Sequence, residues 1–113
     1  MPLIKLFARL PLKTSASALH KAFCAAWDVP PNVCKILVCP TVDQSFADPA
    51  ETIFCDVRCK ATSPSAGVRT PEIVEAACAR MSDALAEHGH PGANIRVELY
   101  ESSLQTTYFQ PTN

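Results

Sequence analysis

The sequence predicts an α+β fold in which two β-α-β units share one four-stranded sheet, with two helices on one face. Three observations carry that prediction. Apolar residues alternate with period two in four segments and recur at helical spacing in two others. The order of those segments is β-α-β-β-α-β. The chain therefore divides into two halves of similar plan, roughly 50 residues each, with little identity between them.

The first strand is predicted over Pro2 to Leu10. Ile4, Leu6, Ala8 and Leu10 form a wholly apolar face, whereas Leu3, Lys5, Phe7 and Arg9 form a mixed one. That contrast fits a sheet covered on one side. Pro11 stops the strand, and the hydroxyl of Thr14 or Ser15 can cap the helix that follows. Leu19, Phe23, Ala26 and Trp27 give that helix one apolar stripe. Pro30-Pro31 ends it, because a proline nitrogen has no hydrogen to donate.

Val33 to Cys39 reads as the second strand and is closed by Pro40. Thr41 to Glu51 is a polar loop with Asp48-Pro49 as its turn. Thr52 to Lys60 is the third strand, with Ile53, Cys55, Val57 and Cys59 on one face and Phe54, Asp56, Arg58 and Lys60 on the other. Ser63 to Gly67 reads as a loop. Thr70-Pro71-Glu72 is a strong helix start, combining a capping hydroxyl, proline in the first turn and an acid near the positive end of the helix. Ile73, Val74, Ala77, Met81, Ala84 and Leu85 supply its apolar stripe, and Gly89 and Pro91 end it. Asn94 to Tyr100 is the fourth strand, with Ile95, Val97 and Leu99 opposite Arg96, Glu98 and Tyr100. Leu104 to Phe109 is predicted to add a short edge strand.

Length and charge exclude several functions. The chain has 113 residues, enough for one domain spanning residues 1–113. Ten basic against eleven acidic side chains leave a net charge of −1, which gives no electrostatic footprint for nucleic acid. The apolar runs fall short of the roughly 20 residues that span a bilayer. Met1 to Lys5 lacks the long apolar centre of a signal peptide. The six cysteines form no C-x-x-C pair and, with the three histidines, no zinc-finger spacing, so no metal or other cofactor is expected. They read as reduced, buried residues of a cytoplasmic protein. Cys59 is the first choice for a reactive thiol.

No familiar catalytic spelling is present: no G-x-S-x-G, no H-E-x-x-H and no phosphate-binding glycine loop. His20, His88 and His90 read as solvated or capping residues. Asp56 and Glu98 read as part of a solvated or ion-paired sheet face. The unusual feature is Pro2, which follows the initiator methionine and opens an apolar strand. Removal of Met1 makes it a secondary amine. An ordinary α-amino group has a pKa of about 8, and burial or a neighbouring cation disfavours its charged form. A neutral amine of this kind is a competent general base or nucleophile. With Met1 retained, the same nitrogen is an amide without basicity.

Pro2 behind Met1, the Pro30-Pro31…Cys39-Pro40 spacing, the length and the β-α-β-β-α-β order together resemble the tautomerase superfamily, which includes 4-oxalocrotonate tautomerase and macrophage migration inhibitory factor. Lys5 and the tail Gln105 to Phe109 resemble an uncharacterised bacterial branch of it. The resemblance implies a homotrimer with a catalytic amino-terminal proline at a subunit interface. That proline moves a proton between carbon and oxygen in a small carbonyl or unsaturated acid. Residue by residue, Pro2 matches the catalytic proline. Val29 stands where the inhibitory factor has a lysine, so that cation is missing. Lys35, two residues after the position of a pocket-lining tyrosine, can restore the charge, and Lys60 falls near the pocket edge. Glu98 and Tyr100 stand where a neighbouring subunit contributes a tyrosine and an asparagine. Tyr108 or Phe109 can form an aromatic wall.

Three readings follow. In the first, neutral Pro2 takes a proton α to a carbonyl, Lys35 or Lys60 stabilises the enolate, and Tyr100 orients the enol. A nearby Glu98 would raise the amine's pKa and weaken it as a base. The second reading is a non-catalytic trimeric binding or structural protein of the same fold. The third is a ferredoxin-like sandwich, which has the same element order, acting as a ligand-binding module.

Overall fold

A computed structural model describes residues 2–8, 12–39, 48–63, 67–106, 108 and 110–111. Its strands and helices, in chain order, are β1 Leu3–Ala8, α1 Ala16–Ala26, β2 Lys35–Val38, β3 Ile53–Lys60, β4 Thr62–Ser63, β5 Gly67–Val68, α2 Pro71–Glu87 and β6 Ala93–Tyr100.

The period-two pattern sorts the main sheet as predicted. Ile4, Leu6, Ala8, Ile53, Cys55, Val57 and Cys59 are buried on one face beneath the helices. Leu19, Phe23, Ala26 and Trp27 from α1 meet Ala77, Met81, Ala84 and Leu85 from α2 in the same core. Each large apolar side chain sealed there contributes about 1.5–3 kcal/mol. The Trp27 indole Nε1 donates to the Met81 sulfur at 3.1 Å, which ties the two helices together.

Both helix starts follow the expected capping chemistry. Ser15, rather than Thr14, caps α1, its Oγ accepting from the Ala18 N–H at 3.2 Å. The Thr14 hydroxyl is buried without a partner. Thr70 caps α2 by accepting from the Ile73 N–H at 3.3 Å. After α2, Gly89 adopts φ +90°, a conformation that favours glycine. At Gly92, φ +72°, a Cβ would overlap the Ala50 carbonyl, so glycine is required where the loop closes against β3.

The sheet order is β2-β1-β3-β6. β1 runs parallel to β2 and antiparallel to β3, and β3 runs parallel to β6. Each helix therefore joins two strands that are immediate neighbours. A ferredoxin-like split β-α-β separates those strands by another, so that alternative is excluded.

Several finer expectations are corrected. Ser63 to Gly67 is not simply a loop: Thr62 and Ser63 pair with Val68 and Gly67 in a small hairpin, and residues 64–66 lie outside the described ones. Such two-residue strands carry too little alternation to be legible. The predicted tail strand is absent among the described residues. Ser102–Leu104 forms a 3-10 turn, Leu104 is exposed, and residues 107 and 109 are not described. Ile73, assigned to the buried stripe of α2, is 41% exposed because it lies at the first turn, at the rim of the helix pair. Leu99 is 40% exposed near the end of the edge strand β6. His90 is not solvated: it is buried, and its Nε2 accepts from the Lys13 N–H at 2.8 Å. Burial, and secondarily Lys13, lower its pKa. His88 is the capping histidine, its Nδ1 2.8 Å from the Ala84 carbonyl oxygen.

Candidate functional site

The site is built around the start of β1. Pro2 is fully buried, on the same side of the strand as Ile4 and therefore beneath the helices. Its carbonyl accepts from the Lys35 N–H at 3.0 Å. Leu3 pairs with Lys35 and with Arg58, so one step back along the register Pro2 lies between Cys34 and Cys59. That position is sealed by ordinary strand pairing.

The other proposed site residues point elsewhere within one subunit. Lys35 and Glu98 belong to one cross-sheet row, Lys35–Leu3–Arg58–Glu98, on the face away from the helices. Three strand spacings put them about 14 Å apart. Lys60 and Tyr100 pair with each other one row beyond Pro2, also on that open face. Tyr108 is 81% exposed, and its hydroxyl donates to Gln110 Oε1 at 2.6 Å. Lys35 lines an open cleft of about 360 Å³ between α1 and β2, together with His20, Asn32, Cys34 and Ile36.

On the open face two arginines and two carboxylates pair with one another. Arg96 Nη2 lies 3.3 Å from Asp56 Oδ2, and Arg58 Nε lies 3.8 Å from Glu98 Oε2. Arg96 Nε also approaches Glu98 Oε1 at 4.0 Å. Arg96 sits over Phe54, which stacks on Phe7 at 6.0 Å between ring centroids. Within the subunit, Glu98 faces these arginines across the sheet from Pro2.

Arg69 is the residue that sequence reasoning missed. It is 4% exposed, and among the described residues no carboxylate pairs with it. Its Nη1 donates to the Lys60 carbonyl at 2.7 Å, and its guanidinium lies 5.8 Å from the centre of the Trp27 ring. Its Nε is buried with no hydrogen-bond partner. A buried cation without an anion is costly. Its position follows from the hairpin: β5 ends just before it, and its N–H donates to the Ala61 carbonyl at 2.9 Å. The side chain is thereby turned inward, close enough to act electrostatically on Cys59, which lies across from Pro2. One signal was available in the sequence: an arginine between a turn glycine and a helix cap is positioned by two backbone devices.

All six cysteines are free thiols. Cys59 is fully buried and its pKa is raised, chiefly by burial, which makes it a poor nucleophile and corrects its choice as the reactive thiol. Cys55 is also sealed, its thiol pushed up to about 12 by burial and then by Cys78. No set of three or more metal-ligating side chains is gathered among the described residues.

No protein-family model matches the sequence, and no curated protein matches it by sequence. Solved structures do match the fold. A fused 4-OT asymmetric trimer, F6, superposes with TM-score 0.72 at 13% identity, covering 96% of this chain and 94% of that one. FG41 malonate semialdehyde decarboxylase, solved inhibited by 3-bromopropiolate, gives TM-score 0.65 at 15% identity over 98% and 91%. A macrophage migration inhibitory factor-like protein from Entamoeba histolytica gives 0.63 at 13% identity over 95% and 93%. The chain has the tautomerase fold, with the mixed four-stranded sheet and both helices on one face. At these identities the likeness concerns architecture, and the chemistry must be argued from this chain's own residues.

Proposed function

We propose that this chain is a tautomerase-like enzyme in which Pro2, freed by removal of Met1, is the general base for keto–enol or related proton transfer on a small carbonyl acid. One observation carries the reading. Arg69, buried and without a carboxylate partner among the described residues, lies within electrostatic reach of Cys59, which the register sets across from Pro2. A carboxylate-bearing substrate supplies the missing anion. The same positive charge and the burial of the ring both favour a neutral amine. Glu98, occupied by Arg58 and Arg96 on the other face, does not oppose that within the subunit.

The base takes a proton α to the substrate carbonyl and returns it at oxygen or at a vinylogous carbon. Arg69 holds the carboxylate, and a cation in a water-poor pocket stabilises developing negative charge more strongly than it would in water. Lys35, whose strand row lies on the open face, serves the site only across a subunit boundary. Lys60, Glu98 and Tyr100 lie on the open face and serve a proline only across a subunit boundary. The reading therefore includes a cytoplasmic homotrimer, with Tyr108 as an aromatic wall. The trimeric 4-OT neighbour supports such an assembly. The full burial of the Pro2 ring favours a second reading, a non-catalytic trimeric binding protein of the same fold.

Labelling separates the two. The protein is incubated at neutral pH with a halogenated propiolate, the class of compound that inhibits the decarboxylase neighbour. Intact mass and peptide mapping follow. The enzyme reading expects loss of Met1, rapid adduct formation at Pro2, and none in Pro2→Gly run alongside an amine-reactivity control. Retained Met1, or a Pro2 amine that labels only at high pH, would leave the binding reading in its place. Native mass spectrometry tests the trimer directly.

A further inference from the structure

The described contacts of Arg69 do not cancel its charge. Its Nη1 donates to the Lys60 carbonyl at 2.7 Å, and its backbone N–H donates to the Ala61 carbonyl at 2.9 Å. Its guanidinium carbon lies 5.8 Å from the centre of the Trp27 ring. Both carbonyls and the indole are neutral. An aromatic face attracts a desolvated cation through its quadrupole and leaves the positive charge in place. A carboxylate in that position would neutralise it. A neutral support is what a buried cation needs if its anion is to come from a ligand.

Trp27 is itself fixed. It is the single tryptophan of the chain, it stands at the end of α1, and it is 2% exposed. Its Nε1–H donates to the sulfur of Met81, a fully buried residue of α2. The indole has one donor, and its use on Met81 sets the direction of the ring plane. The ring is thereby tied to both helices, while Lys60, at the end of β3, supplies the second contact that decides where the guanidinium stops. An arginine side chain has many rotamers in solution. Here contacts from two separate elements select among them. Packing alone does not call for this arrangement, because a guanidinium is a costly filler for a space beside tryptophan.

We propose that Trp27 is a positioning residue for recognition of the substrate carboxylate: locked by Met81, it holds the Arg69 guanidinium in place, charged and ready for an anion that the substrate brings. Trp27 acts only through Arg69. The proposal rests on the enzyme reading for the use made of that charge, so its test has one arm that needs Pro2 and one that does not.

In the first arm, rates of Pro2 labelling are compared for a halogenated propiolate and for its uncharged amide. The parent is expected to prefer the charged reagent. Trp27→Leu is expected to lower that preference by about 10-fold, through the half-saturating concentration rather than the limiting rate. Trp27→Phe keeps an aromatic face and is expected to retain most of the preference. Equal slowing of both reagents would mark a purely structural role and overturn the proposal. So would a preference that is absent in the parent or unchanged in Trp27→Leu. If Trp27→Leu fails to fold, Met81→Leu, which leaves the ring and removes its acceptor, is judged by the same loss of preference.

In the second arm, the Arg69 Nε–H signal is followed by NMR in isotope-labelled protein and assigned by its loss in Arg69→Met. Trp27→Leu is expected to move the signal downfield as the shielding of the ring face is lost. Acetate is expected to move it in the parent and less in Trp27→Leu. A parent whose Pro2 does not label, but whose Arg69 signal follows both changes, loses the enzyme reading and keeps Trp27 as the seat of a carboxylate site. A signal indifferent to Trp27→Leu, or to acetate in the parent, overturns the proposal.

Discussion

The two faces of the main sheet are built from the same alternation and end in opposite electrostatic states. Beneath the helices, the strands present Ile4, Leu6, Ile53, Cys55, Val57 and Cys59, and the buried Arg69 has no carboxylate partner among the described residues. On the open face, Arg58 and Arg96 each have a carboxylate within 4.0 Å, and both carboxylates are partly solvated. An arginine in water can afford a loose partner or none, whereas a buried one leaves a deficit that a ligand can fill. The comparison teaches that the informative cation among the described residues is the buried one without a carboxylate, although the open face holds more cations.

The contrast is broken or sharpened most strongly at neighbouring residues of β1. Leu6→Ala removes a fully buried side chain and is expected to cost about 2–5 kcal/mol in denaturant titration. Lys5→Ala, one residue away on the open face, is expected to change stability by about 0.5 kcal/mol or less in the dissociated protein. A larger loss at Lys5 that depends on protein concentration would locate the open face inside the assembly. Next in size is Arg69→Met. Removing an uncompensated buried charge is expected to leave the melting temperature unchanged or raise it, while slowing propiolate labelling at Pro2 by about 10-fold or more. A fall of several degrees in calorimetry would instead mark Arg69 as a structural cation held by Trp27.

His90 gives a pH signature on the buried side. Its folded-state pKa is lowered from the ordinary 6.5, so the unfolded chain binds the proton first as pH falls. Stability contributed by neutral His90 is therefore present above about pH 6.5 and is lost as pH drops toward the lowered native value. His90→Gln, compared with the parent by urea titration across pH 7 to 5, is expected to flatten that slope. The smallest effect is assigned to the open face: Glu98→Gln loosens two solvated ion pairs and is expected to cost about 1 kcal/mol or less, a cost that shrinks with added salt. A salt-independent cost would show that Glu98 is buried against a neighbouring subunit.

Most of the fold was legible because its signals are local. The strand faces follow from alternation at Ile4/Leu6/Ala8 and Ile53/Cys55/Val57/Cys59, and the helix starts follow from the hydroxyls of Thr70 and of Thr14 or Ser15, between which the structure chose Ser15. The site was less legible. Pro2 could be singled out by its place behind Met1, but Lys35, Lys60, Glu98 and Tyr100 were located through a resemblance, and within one subunit the sheet places them on the face away from the Pro2 ring. The β4–β5 hairpin was too short to read, and Arg69, whose inward direction depends on that hairpin, was missed with it.

The sequence by itself determined the order of elements, the side of each main strand that faces the helices, and the ends of both helices. Each of these depends on residues a few positions apart, which share one backbone geometry whatever the rest of the chain does. Only the tertiary structure decided that β1 lies between β2 and β3, which excludes the ferredoxin-like arrangement. It also decided that Arg69 turns inward to the Lys60 carbonyl and the Trp27 ring. Those contacts join distant parts of the chain, and periodicity reports the burial of a position without naming the partner that buries it.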